Sequence, residues 1–217
     1  MSNLFLLSDS GLRADGRRPN ETRKVQCKLG IFDQADGSAY FELGNTRVLA
    51  AIYGPHEISE SNKSKSIHDR AMINCQYSIT TFSRAERKSK PRGDYRSLEL
   101  NASLNEIFET VIITELYPHS QIDIYLEVLQ SDGSDFSACI NAASLALIHA
   151  GIPMKDIVCS CTAALLPKTK QSVAMESNGR INLNSLEKMI GSVIDGCQEI
   201  LITMKSVIAN YIKELNV

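Results

Sequence analysis

The stretch Leu129-Gln130-Ser131-Asp132-Gly133-Ser134-Asp135-Phe136-Ser137-Ala138-Cys139-Ile140 joins a strand to a helix, and its reading decides the fold. Upstream, Ile122, Ile124, Leu126 and Val128 alternate with Asp123, Tyr125 and Glu127, the period of a half-buried strand. Downstream, Phe136, Cys139, Ile140, Ala143 and Leu147 fall on one face of a helix. A Gly-containing turn into a helix N-terminus is a ready anion site, because the first backbone N–H groups lack partners and the dipole is positive there. Here Asp135 stands in that mouth. It can cap the helix itself, which satisfies those donors, and it repels a phosphate. The residues alone leave both readings open: an anion site or a self-capped helix.

Outward from this unit, the chain reads as alternating elements. Residues 1–22 are polar and punctuated by Gly11, Gly16 and Pro19, an extended lead-in. Residues 23–32 alternate as a strand. Asp36-Gly37 and Gly44-Asn45 mark turns around strands at 38–43 and 46–53, the latter closed by Gly54-Pro55. A long polar loop, 56–70, precedes a strand at 71–82. A helix is predicted from about 95 to 116, with Leu100, Leu104, Ile107, Phe108, Val111, Ile112 and Leu116 on one face. The helix after the opening turn ends at Ala150-Gly151-Ile152-Pro153. Val158–Leu166 reads as an apolar strand and 171–177 as its return. A final helix runs from about 184 to 215, with Asn184 and Glu187 at capping-box spacing, a length of roughly 45 Å. Its apolar stripe needs a broad surface to lie on. This order gives an α+β class, helices packed on a mostly antiparallel or mixed sheet. Residues 1–22 form the lead-in and 23–217 a single domain.

The 217 residues, 43% hydrophobic with a net charge of −2, read as an ordinary globular protein. The N-terminal stretch Met1–Asp9 is too short and lacks the basic residues of a secretory signal, and no apolar run is long enough to span a membrane. Six cysteines at 27, 75, 139, 159, 161 and 197 contain no CxxC pair, and the four histidines are not at ligand spacing. No metal or cofactor is therefore expected. Reduced, buried thiols are the reading of the cysteines.

With so little net charge, any contact to nucleic acid must come from a local patch. The densest charge lies between Arg84 and Arg96, with Arg87, Lys88, Lys90 and Arg92 between them and Tyr95 beside them. Such a run is either a solvated loop or a surface that tracks the phosphates of single-stranded nucleic acid while an aromatic ring stacks on its bases.

Several stretches together resemble the RNase PH-like family: Arg13-Ala14-Asp15-Gly16-Arg17-Arg18, Ala35-Asp36-Gly37-Ser38-Ala39, Gly44-Asn45-Thr46, Tyr53-Gly54-Pro55-His56-Glu57, Thr81-Phe82-Ser83, Gln130-Ser131-Asp132-Gly133 and Ala150-Gly151-Ile152-Pro153. The resemblance runs from about Leu7 to Leu166 and resumes weakly in the final helix. It implies an RNase PH-like (ribosomal protein S5 domain 2-like) fold. It also implies a place in the six-subunit ring of the RNA exosome. The partners would be other RNase PH-like ring subunits, RNA-binding cap subunits, a catalytic exosome nuclease and single-stranded RNA in a central channel. The implied roles are rRNA processing and RNA decay, in the nucleus, nucleolus and cytoplasm. Under it, Arg84, Arg87, Lys88, Arg92 and Arg96 contact the RNA backbone, and Lys63, Lys65 and Arg70 lie near the channel neck.

The active members of the family hold phosphate at a Gly-Gly-Thr-Arg turn, helped by an arginine on the preceding helix, and inorganic phosphate attacks the terminal 3′ linkage. Carried over, the helix arginine is Arg96. The turn threonine falls on Asp135 and the turn arginine on Phe136. The pocket has gained an anion and lost a bidentate cation. Two like charges about 4 Å apart cost roughly 4 kcal/mol at an effective dielectric near 20. Further on, Cys161-Thr162-Ala163 runs straight into Ala164-Leu165-Leu166-Pro167, where the family carries an additional segment with its catalytic carboxylates. The second half of the domain is thus shortened. The resemblance therefore implies a non-catalytic ring subunit. A phosphorolytic 3′-to-5′ exoribonuclease and an assembly-defective isoform are the alternatives.

Overall fold

The computed structural model describes residues 12, 13, 15–18, 21–58, 69–85, 87, 94–162 and 183–215. Five strands, β1 (Val25–Leu29), β2 (Gly37–Leu43), β3 (Thr46–Glu57), β4 (Met72–Ile79) and β5 (Ser120–Gln130), form one sheet in the order β1-β2-β3-β5-β4. Every neighbouring pair is antiparallel except β4 and β5. A parallel pair needs a crossover, and helix α1 (Tyr95–Val111) supplies it. Helices α2 (Asp135–His149) and α3 (Leu183–Leu215) complete the α+β architecture.

Strand alternation sets the core. Phe41 pairs with Val48, Val48 with Val128 and Val128 with Ile79, so one apolar row crosses four strands. Ala39, Ala50, Leu126 and Tyr77 make the next row, and both rows are buried. Helix α2 lies across this face and is buried from Ser137 to Leu147. Its small residues Ala138, Ala142, Ala143 and Ala146 allow the close approach. At the crossing point only a glycine fits: a Cβ on Gly37 would stand 2.4 Å from the Ala146 carbonyl oxygen.

Helix α1 closes the sheet's open edge. The Cys75 and Tyr77 N–H groups point away from β5 and donate to Asn105 Oδ1 and Asn101 Oδ1, each at 2.7 Å. Four residues of helix rise about 6 Å and two residues of strand about 6.6 Å, so asparagines four apart match donors two apart. The edge is thereby removed as a template for pairing with another chain.

Three boundaries differ from the sequence reading. β3 continues past Gly54-Pro55 to Glu57, with a register shift between Tyr53 and His56. α1 stops at Val111 rather than 116, because the tertiary partners there are stronger than the helix pattern: Ile112 bridges Met154 and the Lys155 N–H takes the Val111 carbonyl. Leu116 is exposed as a result. Val158–Thr162 forms no strand. Its backbone is held instead by the buried side chain of Asn141, whose Nδ2 donates to the Ser160 carbonyl (2.9 Å) and whose Oδ1 accepts from the Ser160 N–H (2.8 Å). Residues 163–182, including the expected returning strand, lie outside the described residues, as do the side chains of Asn184 and Glu187.

The apolar stripe of α3 is only partly covered. Ile200 and Met204 are buried, while Ile190, Ile194 and Ile212 are exposed. Along β1 and α2 the helix is fixed by two polar contacts as well: Glu199 accepts from the Thr22 hydroxyl at 2.7 Å, and the Tyr211 hydroxyl meets His149 Nε2 at 2.8 Å.

Candidate nucleic-acid interface

The turn between β5 and α2 stands at the end of the sheet, where residue 134 begins the helix. Gly133 has φ +86° and Ser134 φ +63°. The family pattern puts glycine at both positions, and a serine in the left-handed region carries a Cβ penalty. The turn's carbonyls are held from outside. Arg23 Nη1 donates to the Asp132 and Gly133 oxygens at 2.8 and 3.3 Å, and the Thr46 hydroxyl donates to Gly133 O at 2.7 Å. Asn45 Nδ2 donates to the Asp132 carboxylate at 3.1 Å.

Asp135 does not cap α2. The cap position is Ser134, with no side-chain hydrogen bond. The Asp135 carboxylate turns back instead toward the preceding loops: its Oδ2 accepts from the Ser131 hydroxyl at 2.6 Å and from Arg84 Nη2 at 3.3 Å. Arg84 Nε also donates to Ser131 Oγ at 3.2 Å. The carboxylate is 13% exposed and the guanidinium 51%. Asp135 Oδ1 is buried without a hydrogen-bond partner. A cap is a local contact, and here a non-local ion pair displaces it because a guanidinium neutralises the charge where a backbone N–H does not.

This turn floors a cleft of about 1290 Å³, walled by the start of α1, the end of β4 and residues 160–162. Phe136 and the 91%-exposed Tyr95 lie along it. Among its described lining residues the cations are Arg84 and Arg96, and the carboxylates are Asp94, Glu99, Asp132 and Asp135. The described lining is thus acidic on balance, the wrong sign for a free phosphate.

Of the sequence-predicted positions, the fold brings Arg84, Arg96, Asp135 and Phe136 together at the cleft. Arg87 is exposed a few residues beyond Arg84. Arg70 is exposed before the opposite end of β4, roughly 25 Å of strand away. Lys63, Lys65, Lys88 and Arg92 lie outside the described residues. The sequence reading missed Arg23, whose partner Asp132 is 109 residues away with no local signal to announce it. It also missed the crowding of arginines in the lead-in: burial, and then Arg17 nearby, lower the pKa of Arg13, which also feels Arg23 and Cys161. No group of side chains able to hold a metal ion occurs among the described residues.

Comparison with known proteins places this geometry. The family model for RNase PH, the 3′ exoribonuclease family, domain 1, matches residues 21–153. The human exosome complex component RRP41 is 43% identical over 242 residues, covering 100% of this chain and 98% of the relative. The putative RRP41 component of Caenorhabditis elegans is 50% identical over 161 residues, 74% of this chain and 66% of the relative. Among solved structures, rice Rrp46 superposes with a TM-score of 0.76 at 23% identity, over 89% of this chain and 98% of that one. The Archaeoglobus fulgidus exosome with RNA bound to its active site gives a TM-score of 0.73 at 18% identity, over 89% and 93%. At those identities the superpositions establish the fold. The family match and the full-length identity establish the lineage: the chain belongs to the RNase PH, or 3′ exoribonuclease, family and is a homologue of the exosome component RRP41.

Proposed function

We propose that the chain is a non-catalytic subunit of an exosome core ring, one that builds the barrel and contacts single-stranded RNA without cleaving it. The observation that carries this reading is the Asp135 carboxylate. It stands where the family's phosphate turn has a threonine, and it occupies Arg84 at 3.3 Å. An incoming phosphate about 4 Å from Asp135 meets a repulsion of up to roughly 4 kcal/mol, of which Arg84 offsets a good part, and Arg84 itself is engaged by the carboxylate rather than turned to the phosphate. Phe136 offers no bidentate donor in compensation. Phosphorolysis needs that phosphate fixed in line with the 3′ linkage; a cleft that rejects it cannot run the reaction.

The alignment with the human relative spans 242 residues where this chain supplies 217. That shortfall supports an internal segment lost after Ala163, and with it the acid–base carboxylates of active family members. What remains suits base stacking more than backbone contact inside the cleft, whose described lining is acidic on balance. Arg96 and Arg87 carry charge, and Tyr95 and Phe136 carry rings on which bases stack. Such contacts give affinity without sequence preference. The exosome relatives support other RNase PH-like ring subunits as partners; RNA-binding caps and a separate catalytic nuclease are the further partners of this reading.

The test is co-expression with the other ring subunits, followed by size-exclusion chromatography with mass determination. Co-elution in a ring of the expected mass supports the scaffold reading. Exclusion of this chain from a ring that the human RRP41 enters under the same conditions overturns it.

A further inference from the structure

Three thiols meet where the cleft wall touches α3. The Cys197 thiol reaches the Cys159 carbonyl at 3.9 Å and also receives the backbone N–H of Cys161. The Cys161 sulfur lies 3.0 Å from where a Cβ on Gly196 would stand, so it rests against the helix backbone next to Cys197. Glycine at 196 is what lets it come so near. Cys159, by contrast, is turned along the helix toward the Met204 sulfur, 3.5 Å away. All three are free thiols, and Cys161 lines the open cleft.

We propose that Cys161 and Cys197 are a redox-closable pair, a modification site at which a peroxide forms a disulfide fastening the cleft wall to α3. Cys161 is the sulfur that peroxide reaches through the cleft. Its thiolate attacks the O–O bond, giving a sulfenic acid and releasing one water after proton transfer. The Cys197 thiolate then attacks that sulfur, forms the S–S bond and expels the oxygen as a second water. Two thiols give up two electrons and two protons, and one peroxide is reduced to two waters. Burial holds both thiols above their ordinary pKa, so closure is slow and calls for excess oxidant.

The consequence is mechanical. Residues 157–162 have no strand pairing and are held by Asn141 and by the Thr162 hydroxyl against Ser137. A covalent tie to α3 adds a constraint across a loop of about 36 residues, for which chain-entropy arguments give a rise in Tm on the order of 8–15 °C.

The experiment treats the full chain with hydrogen peroxide and maps disulfides by mass spectrometry of tryptic peptides without reduction. The expected result is a peptide joining Cys161 to Cys197 in the wild type and in Cys159→Ser, absent in Cys161→Ser and Cys197→Ser. Oxidation should raise Tm in the first two only, and a dithiol reductant should reverse it. Linkage through Cys159, or oxidation to sulfinic and sulfonic acids with no linked peptide, overturns the proposal. So does a linked peptide that survives in Cys161→Ser.

Discussion

Replacing Asp135 with asparagine removes the charge from the mouth of α2 while keeping the side chain's shape. Two effects of different size follow. The Asp135–Arg84 pair, 3.3 Å apart, is half open to water through Arg84. Ion pairs of that exposure contribute about 1 kcal/mol or less, and the amide oxygen of the variant still accepts from Ser131. The substitution should therefore cost little stability, under roughly 1 kcal/mol. The electrostatic change for RNA is larger. A phosphodiester near 4 Å from Asp135 is opposed by up to roughly 4 kcal/mol, of which Arg84 already offsets a good part. Removing the charge and releasing Arg84 should tighten RNA about tenfold. Each additional phosphate contact steepens the salt dependence for a single strand by about 0.7. The assay is fluorescence anisotropy of a labelled single-stranded RNA on the reconstituted ring across a salt series. In the double variant Asp135→Asn with Arg84→Gln the gain should vanish. An unchanged affinity and slope in the single variant would refute the argument that this pair governs the cleft.

Three other outcomes follow from the packing. Ser134→Gly relieves a left-handed serine at φ +63° and should raise unfolding stability by about 1 kcal/mol in a urea titration. Asn105→Leu leaves the Cys75 N–H without its acceptor and should cost about 1–3 kcal/mol, with self-association through the uncovered β4 edge visible by light scattering. His149 accepts the Ser38 N–H at Nδ1 (3.2 Å) and so presents its Nε2 proton to Tyr211. Burial lowers its pKa below 6.5. Its neutral form therefore contributes stability that is fully present above about pH 6.5 and is lost as pH falls through the lower folded-state value. Urea midpoints should be flat from about pH 7 upward and fall below about 6.5, and His149→Gln should flatten the acid limb.

Much of the fold was legible because its signals are local. The alternation in β2, β3, β4 and β5 and the apolar face of α2 need only neighbouring residues to be read, and the core rows follow from them. What escaped depends on contacts far apart in the chain. Nothing near Val111 announces that Met154 will take Ile112 out of the helix. The alternation from Val158 reads as a strand, yet its backbone pairs with a side chain, Asn141. The candidate site divides in the same way. Asp135 and Phe136 stand out as wrong for phosphate from their place in the turn. The partner that decides how Asp135 behaves, Arg84, is 51 residues earlier, and sequence alone offers the nearby helix N–H groups as the carboxylate's natural donors. Arg84 is expected from the sequence as a contact to RNA; its engagement with the turn had no local signal.

The central claim is that this member of the family assembles and holds RNA but performs no phosphorolysis. The most direct measurement supplies labelled inorganic phosphate and single-stranded RNA to a ring rebuilt with this chain and follows label into nucleoside diphosphates. The expected result is RNA binding with no labelled product above that of a ring carrying Arg96→Ala in this chain. Phosphate-dependent release of labelled nucleoside diphosphate that disappears with Arg96→Ala would contradict it.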